Sequence, residues 1–138
     1  MNAYNYQPKT REELRKLIEQ RIKEEGNEVD LNDIDVSNIT DMSDLFYDLD
    51  KFNGNISDWD VSNVNSMSYM FWGCENFNQD ITKWNVSNVI NMNGMFDNCE
   101  NFNQDISKWN VSKVVYTDQM FDSCPIEDKY KPIFNNNI

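Results

Sequence analysis

Three consecutive segments of the chain, 52–76, 77–101 and 102–126, repeat one pattern of residues with a period of 25. A fixed period in this range is typical of solenoid proteins, in which each repeat forms one coil stacked on the next. The pattern therefore predicts one continuous core running through stacked coils. The repeated apolar positions are Phe52, Phe77 and Phe102; Ile56, Ile81 and Ile106; Trp59, Trp84 and Trp109; Met70, Met95 and Met120; and Cys74, Cys99 and Cys124.

The spacing inside one repeat predicts how each coil is built. Trp59 and Val61 stand two residues apart, as in a strand, and Ile-x-x-Trp-x-Val is similar to the core pattern of leucine-rich repeats. We expect a short parallel strand over 58–62, and the steps of three through 67–71 favour a helical or 3₁₀ turn on the opposite side. The predicted fold class is an α+β repeat protein: a short leucine-rich-repeat-like, right-handed solenoid with one parallel strand per repeat.

The remaining segments are predicted to close the stack. Residues 1–9 are expected to be a flexible tail. Thr10 and Glu13 form a capping-box pattern and Gly26 is a natural helix terminator, which predicts an N-terminal capping helix within 10–26. Four repeats then follow within 27–126, at about 27–51, 52–76, 77–101 and 102–126, and 127–138 is expected to form a C-terminal cap and tail.

The first of these repeats is degenerate, and its substitutions indicate which positions are core. Ile34 takes the place of Trp and Leu49 the place of Cys. An aliphatic residue in place of an aromatic ring or a thiol suits a buried position, because any apolar group of similar size can fill it. We therefore expect the Trp and Cys positions to be buried, although one Cys–Cys bond between neighbouring coils is geometrically possible.

Composition restricts the classes of partner. The chain has 24 Asp and Glu against 12 Lys and Arg, a net charge of −12, which disfavours nucleic acids and anionic membranes. No stretch approaches the length of a membrane-spanning helix. The N-terminus has no apolar signal segment, which leaves a cytoplasmic location open.

The repeat FNxDISxWxVSNVxxMxxMFxxC resembles that of the BspA-type leucine-rich-repeat surface proteins. The similarity extends over about 27–124, and the T-x-E-E-L start of the predicted helix is also similar to that family. The resemblance implies a bacterial surface or secreted protein with an adhesion or host-protein-binding role.

The residue types do not indicate an enzyme or a cofactor. The chain has no His, which removes Ser–His and Cys–His nucleophile pairs and imidazole metal sites. The column Asn53, Asn78 and Asn103, with Asp80 and Asp105, suggests Ca²⁺ ligands between coils, but stacked Asn side chains bonded along the ladder explain it without metal. We expect no catalytic residue, no metal and no cofactor.

Recognition is expected at the polar positions beside the buried Trp and Val. These positions vary in charge between repeats while the core is constant, which suits either a tunable binding face or an ordinary solvated one. The main interpretation is a non-enzymatic, monomeric protein-interaction module that binds a protein or glycan. The alternative is a structural or assembly module that stacks or spaces a larger protein. The candidate binding residues are Asp60, Lys83, Asn85, Lys108 and Asn110.

Overall fold

The computed structural model describes residues 4–135, which contain one α-helix, α1 at Arg11–Glu25, and one 3₁₀ helix at Asp128–Tyr130. The predicted capping residues lie at the two ends of α1. Thr10 Oγ1 accepts the backbone N–H of Glu13 at 3.1 Å, and the N–H of Gly26, at φ +93°, donates to Ile22 O at 2.8 Å. The capping box differs in one bond, because the Glu13 carboxylate accepts from the N–H of Lys9 instead of Thr10.

The four repeats lie on one another in a register of 25 residues. Parallel bridges join Asp41 to Ser66, Ser66 to Asn91, and Asn91 to Tyr116. The repeated apolar side chains form one buried cluster along the whole stack. The degenerate first repeat contributes to this cluster as its pattern predicts, through Leu31, Ile34, Val36, Ile39, Met42, Leu45 and Phe46, with Leu49 partly buried.

The prediction of one parallel strand per repeat is wrong. Within residues 4–135 the only β-structure is a set of isolated bridges, and none of them lies in 58–62. Turns replace the strand: Trp59 N donates back to Ile56 O at 3.2 Å, and Val64 N donates to Val61 O at 3.0 Å. Because these amides bond three residues back along the chain, the backbone turns before a strand can form. The leucine-rich-repeat, strand-based solenoid is therefore not the architecture of this chain.

Most backbone hydrogen bonds between repeats instead come from the opposite side, where a helical or 3₁₀ turn was expected. Alternate amides of the third repeat donate to the fourth: Met92 to Tyr116 O, Gly94 to Asp118 O, Phe96 to Met120 O and Asn98 to Asp122 O, all at 2.8–2.9 Å. The amides between them bond locally, as when Met95 donates to Met92 O at 3.3 Å. We call this pattern the alternating ladder. Equivalent bonds join the first repeat to the second and the second to the third.

Left-handed residues allow the chain of turns in the alternating ladder. Two positions of every repeat have φ between 54° and 73°. Gly94 shows the requirement most clearly, because its φ is +59° and an added Cβ would lie 2.4 Å from the ring of Tyr69. A regular helix or strand tolerates no such residue, since either one needs negative φ throughout. The two sets are Asp44, Tyr69, Gly94 and Gln119, and Asp48, Gly73, Asn98 and Ser123.

Aromatic rings and buried hydrogen bonds fill the space inside the repeats. Trp84 is 4% exposed, as predicted, and its ring is parallel to those of Trp59 and Trp109 at 6.5 and 6.4 Å between centroids. Its Nε1–H donates to Ile56 O at 3.0 Å, in the preceding repeat. The thiol of Cys99 is buried and unoxidised and donates to Phe71 O at 2.9 Å. Each of these carbonyls also accepts a backbone N–H in its own turn, from Trp59 and Cys74, so the side chains supply a second donor inside the stack.

Both ends of the stack are in contact with flanking segments. Tyr6, in the stretch assigned to a tail, forms a parallel bridge with Ile34, while Met1–Ala3 lie outside the described residues. At the other end Ile126 is buried and Tyr130 and Phe134 pack against the core, whereas Ile133, which lies in the predicted C-terminal cap, is 82% exposed. No helix among residues 4–135 is long and apolar enough to cross a membrane.

Candidate functional site

The five predicted binding residues are all exposed on one side of the repeats. Three of them stabilise local turns of the backbone. A side-chain oxygen of Asp60, Asn85 and Asn110 accepts the backbone N–H of the Ser two residues later, at 3.0, 3.0 and 3.1 Å. Such Asx turns are a common local use of Asp and Asn. Only part of each side chain therefore remains available to a ligand.

Lys83 and Lys108 are different, because neither ammonium group forms an ion pair within residues 4–135. The two side chains line a shallow depression of about 310 Å³ together with Thr82 and Asp105. The pKa of Asp105 is lowered mainly by its hydrogen bonds from Ser107, with a smaller effect of the charge of Lys108. The depression thus places two exposed ammonium groups without a close ion pair on a molecule whose net charge is −12.

The Asn column forms the ladder expected of it. Asn53 Oδ1 accepts the backbone N–H of Asn78 at 2.9 Å, and Asn78 Oδ1 accepts that of Asn103 at 2.9 Å. Asp80 Oδ1 accepts both N–H and Oγ1–H of Thr82, which lowers its pKa. Each of these oxygens already has a protein donor. Among the described residues, no three His, Cys, Asp or Glu side chains are placed to hold a metal ion.

Two arginines of α1 form hydrogen bonds with the first repeat, and the sequence did not predict these bonds. The carbonyls of Ser43, Leu45 and Tyr47 correspond to those that accept ladder bonds in later repeats. Here Arg11 donates to Ser43 O at 3.1 Å, and Arg15 donates to Leu45 O and Tyr47 O at 3.1 and 3.2 Å. The guanidinium groups therefore replace the amides of a preceding repeat. A groove of about 480 Å³ runs between α1 and this edge.

A partly buried ion pair joins the other end of α1 to the first repeat. Arg21 is 5% exposed and donates to Asp33 Oδ1 at 2.9 Å, and its guanidinium lies 5.2 Å from the Tyr6 ring. Burial alone would raise the pKa of Asp33, but hydrogen bonds from Asn5 and Arg21 outweigh burial and lower that pKa.

A stacked pair of aromatic rings, one exposed and one partly buried, was also not predicted from the sequence. Tyr47 is 40% exposed, and its ring stacks on Trp72 at 4.6 Å between centroids with 13° between planes. The 25-residue register contained the signal, because it places these two residues at the same repeat position. In the third and fourth repeats that position holds Asp97 and Asp122, so the aromatic surface is confined to the N-terminal half of the stack.

Comparison with known proteins gives one family. A family model described as "Mycoplasma protein of unknown function, DUF285" matches residues 13–131. No curated protein and no solved structure matches the chain. The match extends from α1 through all four repeats to the 3₁₀ helix, which is most of the 138 residues. The chain therefore belongs to the DUF285 family of Mycoplasma proteins of unknown function.

Proposed function

We propose that the chain is a non-enzymatic binding module that takes a protein or glycan on the face formed by Asp60, Lys83, Asn85, Lys108 and Asn110. The observation that carries the proposal is the depression lined by Lys83 and Lys108, two exposed cations without ion-pair partners in the described chain. The ligand of this site would carry a carboxylate or another anionic group.

The chemistry around the depression supports a ligand of that kind. Thr82 adds a hydroxyl group to the lining, and the exposed amides of Asn85 and Asn110 lie two residues after the lysines. Their N–H₂ groups remain free to donate, because the Asx turns use only the oxygen atoms. Ammonium and amide donors together suit the oxygens of an acidic peptide or an acidic sugar.

The setting of the face supports an adhesin-like role. The sequence resembles BspA-type surface proteins, and their suggested role is binding of host proteins. A rigid buried core beneath variable polar residues is also the arrangement that repeat proteins use for recognition. A surface location is part of this proposal, and protease shaving of intact source cells tests it: complete protection until lysis would contradict it.

A charge-reversal experiment tests the binding face. The wild-type chain would be screened on peptide and glycan arrays, and its ligands then measured against Lys83→Glu/Lys108→Glu. We expect affinity for anionic ligands to fall at least about tenfold, or 1.4 kcal/mol. The control is Lys16→Glu/Lys23→Glu, which makes the same change of charge on exposed positions of α1. Equal binding by the two double variants would contradict the proposal.

A further inference from the structure

The alternating ladder ends at the fourth repeat with donors that the described chain does not use. Within residues 4–135, four backbone N–H groups of this repeat donate to no described residue. Their equivalents in the third repeat all donate to the next repeat. The four donors are those of Thr117, Gln119, Phe121 and Ser123, which correspond to Met92, Gly94, Phe96 and Asn98.

The fourth repeat keeps the turns of the earlier ones, so these donors are held in the ladder arrangement. Met120 N donates to Thr117 O at 3.2 Å, and Cys124 N donates to Phe121 O at 3.1 Å, as their counterparts do in the third repeat. Gln119 and Ser123 keep the left-handed φ of their positions, 58° and 54°. The edge therefore presents an N–H group at every second residue from 117 to 123. We call it the donor edge.

The donor edge also leaves part of an apolar side chain, Phe121, exposed. The rings of Phe71 and Phe96 are fully buried between repeats, whereas Phe121 is only partly buried and stacks on Phe96 from one side. A groove of about 330 Å³ follows the edge, with Thr117, Gln119, Phe121, Lys131 and Phe134 among its walls.

The C-terminal segment does not close the donor edge, because it pairs with the other side of the repeat. Ile106 N donates to Tyr130 O at 3.0 Å, and Glu127 N donates to Asn103 Oδ1 at 3.0 Å. Both bonds lie on the side that carries the Asn column. Lys131 and Phe134 of this segment line the groove on the ladder side, and the Lys131 ammonium lies 5.4 Å from the centroid of the Phe121 ring.

A second copy of the chain does not complement this edge. Three of the four ladder acceptors at the opposite end of the stack, the carbonyls of Ser43, Leu45 and Tyr47, already receive Arg11 and Arg15. Two donor edges facing each other would place N–H groups against N–H groups. The occupant must therefore supply free carbonyls, which an uncapped polypeptide segment does.

We infer that the donor edge binds a segment of a partner polypeptide that continues the alternating ladder. The segment would supply backbone carbonyls at every second residue and place an apolar side chain against Phe121. Backbone pairing at an exposed edge is an established mode of peptide recognition. The inference concerns a different surface from the Lys83 and Lys108 face, so either can fail without the other.

A peptide titration of the full chain tests the inference. The probe is a synthetic peptide with the sequence of 90–100, because its carbonyls at Asn91, Asn93, Met95 and Asp97 are acceptors of the ladder in the stack. Amide hydrogen exchange of the ¹⁵N-labelled chain would be followed by NMR. At a peptide concentration of about ten times the Kd, exchange should slow about tenfold at 117, 119, 121 and 123. The amides of Met120 and Cys124 should change little, since they are bonded locally.

Two further peptides serve as controls. A scrambled peptide of the same composition should give no protection, and a peptide with Met95→Ser and Phe96→Ser should bind at least about tenfold more weakly, because the burial of two apolar side chains is lost. Equal binding of the scrambled peptide, or protection elsewhere than at the four amides, would overturn the inference. So would protection of these amides without peptide, whether constant or rising with protein concentration, because the chain itself or a second copy would then occupy the edge.

Discussion

Single side chains inside the stack combine packing with hydrogen bonding, and Trp84 is the clearest case. Its ring lies between two parallel Trp rings, and its Nε1–H satisfies Ile56 O in the preceding repeat. Removal of the side chain would leave a cavity and take away one of the two hydrogen bonds that Ile56 O accepts, the other coming from Trp59 N. The same arrangement recurs at Trp59 and Trp109, which donate to Leu31 O and Ile81 O.

Trp84→Ala should therefore lower the free energy of unfolding by about 3–5 kcal/mol. Trp84→Phe keeps most of the ring and loses the N–H donor, while Ile56 O keeps its bond from Trp59 N, so it should cost less, about 0.5–1.5 kcal/mol. Urea denaturation followed by circular dichroism measures both variants. A loss under about 1 kcal/mol for Trp84→Ala would show that the Trp column is not the core of the stack.

The three thiols should differ in reactivity. Burial raises the pKa of Cys74 and Cys99 far above the usual range, and raises that of the partly buried Cys124 as well. Reaction with a thiol-specific disulfide reagent at pH 8 should modify Cys124 first and the other two only as the chain opens. Equal rates for all three in the folded protein would contradict the burial of this column.

At the scale of elements, α1 serves as a substitute for a preceding repeat. Its two arginines donate to three of the four carbonyls at which the ladder ends. The sequence predicted the position of the helix, because capping and apolar spacing are local signals. It did not predict that Arg11 and Arg15 donate to backbone carbonyls, because these bonds depend on which carbonyls of the first repeat face the helix.

Arg15→Ala should destabilise the fold by about 1–3 kcal/mol, since it removes charged donors from Leu45 O and Tyr47 O. Lys16→Ala is the matched control, because Lys16 is the next residue of α1 and is exposed. Thermal or urea unfolding compares the two. If both variants lose the same small amount, the guanidinium of Arg15 does not stabilise the edge.

The ion pair between α1 and the first repeat predicts a dependence on pH. The folded pKa of Asp33 is lowered, so its contribution to stability is present above the unfolded pKa of about 3.9 and is lost as pH falls through the folded value. In urea titrations from pH 5 to 2, Asp33→Asn should be less stable than wild type at pH 5, and the difference should shrink toward pH 2. A constant difference over this range would contradict the proposed role of the carboxylate.

For the molecule as a whole, the period of 25 was enough to predict the columns of buried side chains and their register. It was not enough to predict the backbone conformation, which is turns and not strands. Ile-x-x-Trp-x-Val has the alternation of a strand, yet the amides of Trp59 and Val64 turn back to Ile56 O and Val61 O. Side-chain spacing reports which residues face inward and not where each amide bonds, so turns and strands can share one pattern. The left-handed residues were the missed signal. Gly73 and Gly94 are of the type that favours this conformation most, and Asp44, Asp48 and Asn98 are of types that adopt it more readily than others do.

The candidate site was predictable to the same extent. The sequence identified exposed positions beside the core, and Asp60, Lys83, Asn85, Lys108 and Asn110 are exposed. It could not show that the oxygens of Asn85 and Asn110 are used by Asx turns while Lys83 and Lys108 share a depression. Such facts depend on how neighbouring repeats meet. Binding at this face stays a prediction.

Hydrogen exchange across the third repeat of the free protein tests the alternating ladder most directly, because this repeat has a neighbour on each side. The slowest amides should be those of Met92, Gly94, Phe96 and Asn98, which bond to the fourth repeat. Lys83 and Asn85, whose amides donate to no described residue, should exchange fast. Slow exchange at Lys83 and Asn85 with fast exchange at Gly94 and Asn98 would contradict this account, because it would place a strand ladder at the Trp side of the repeat.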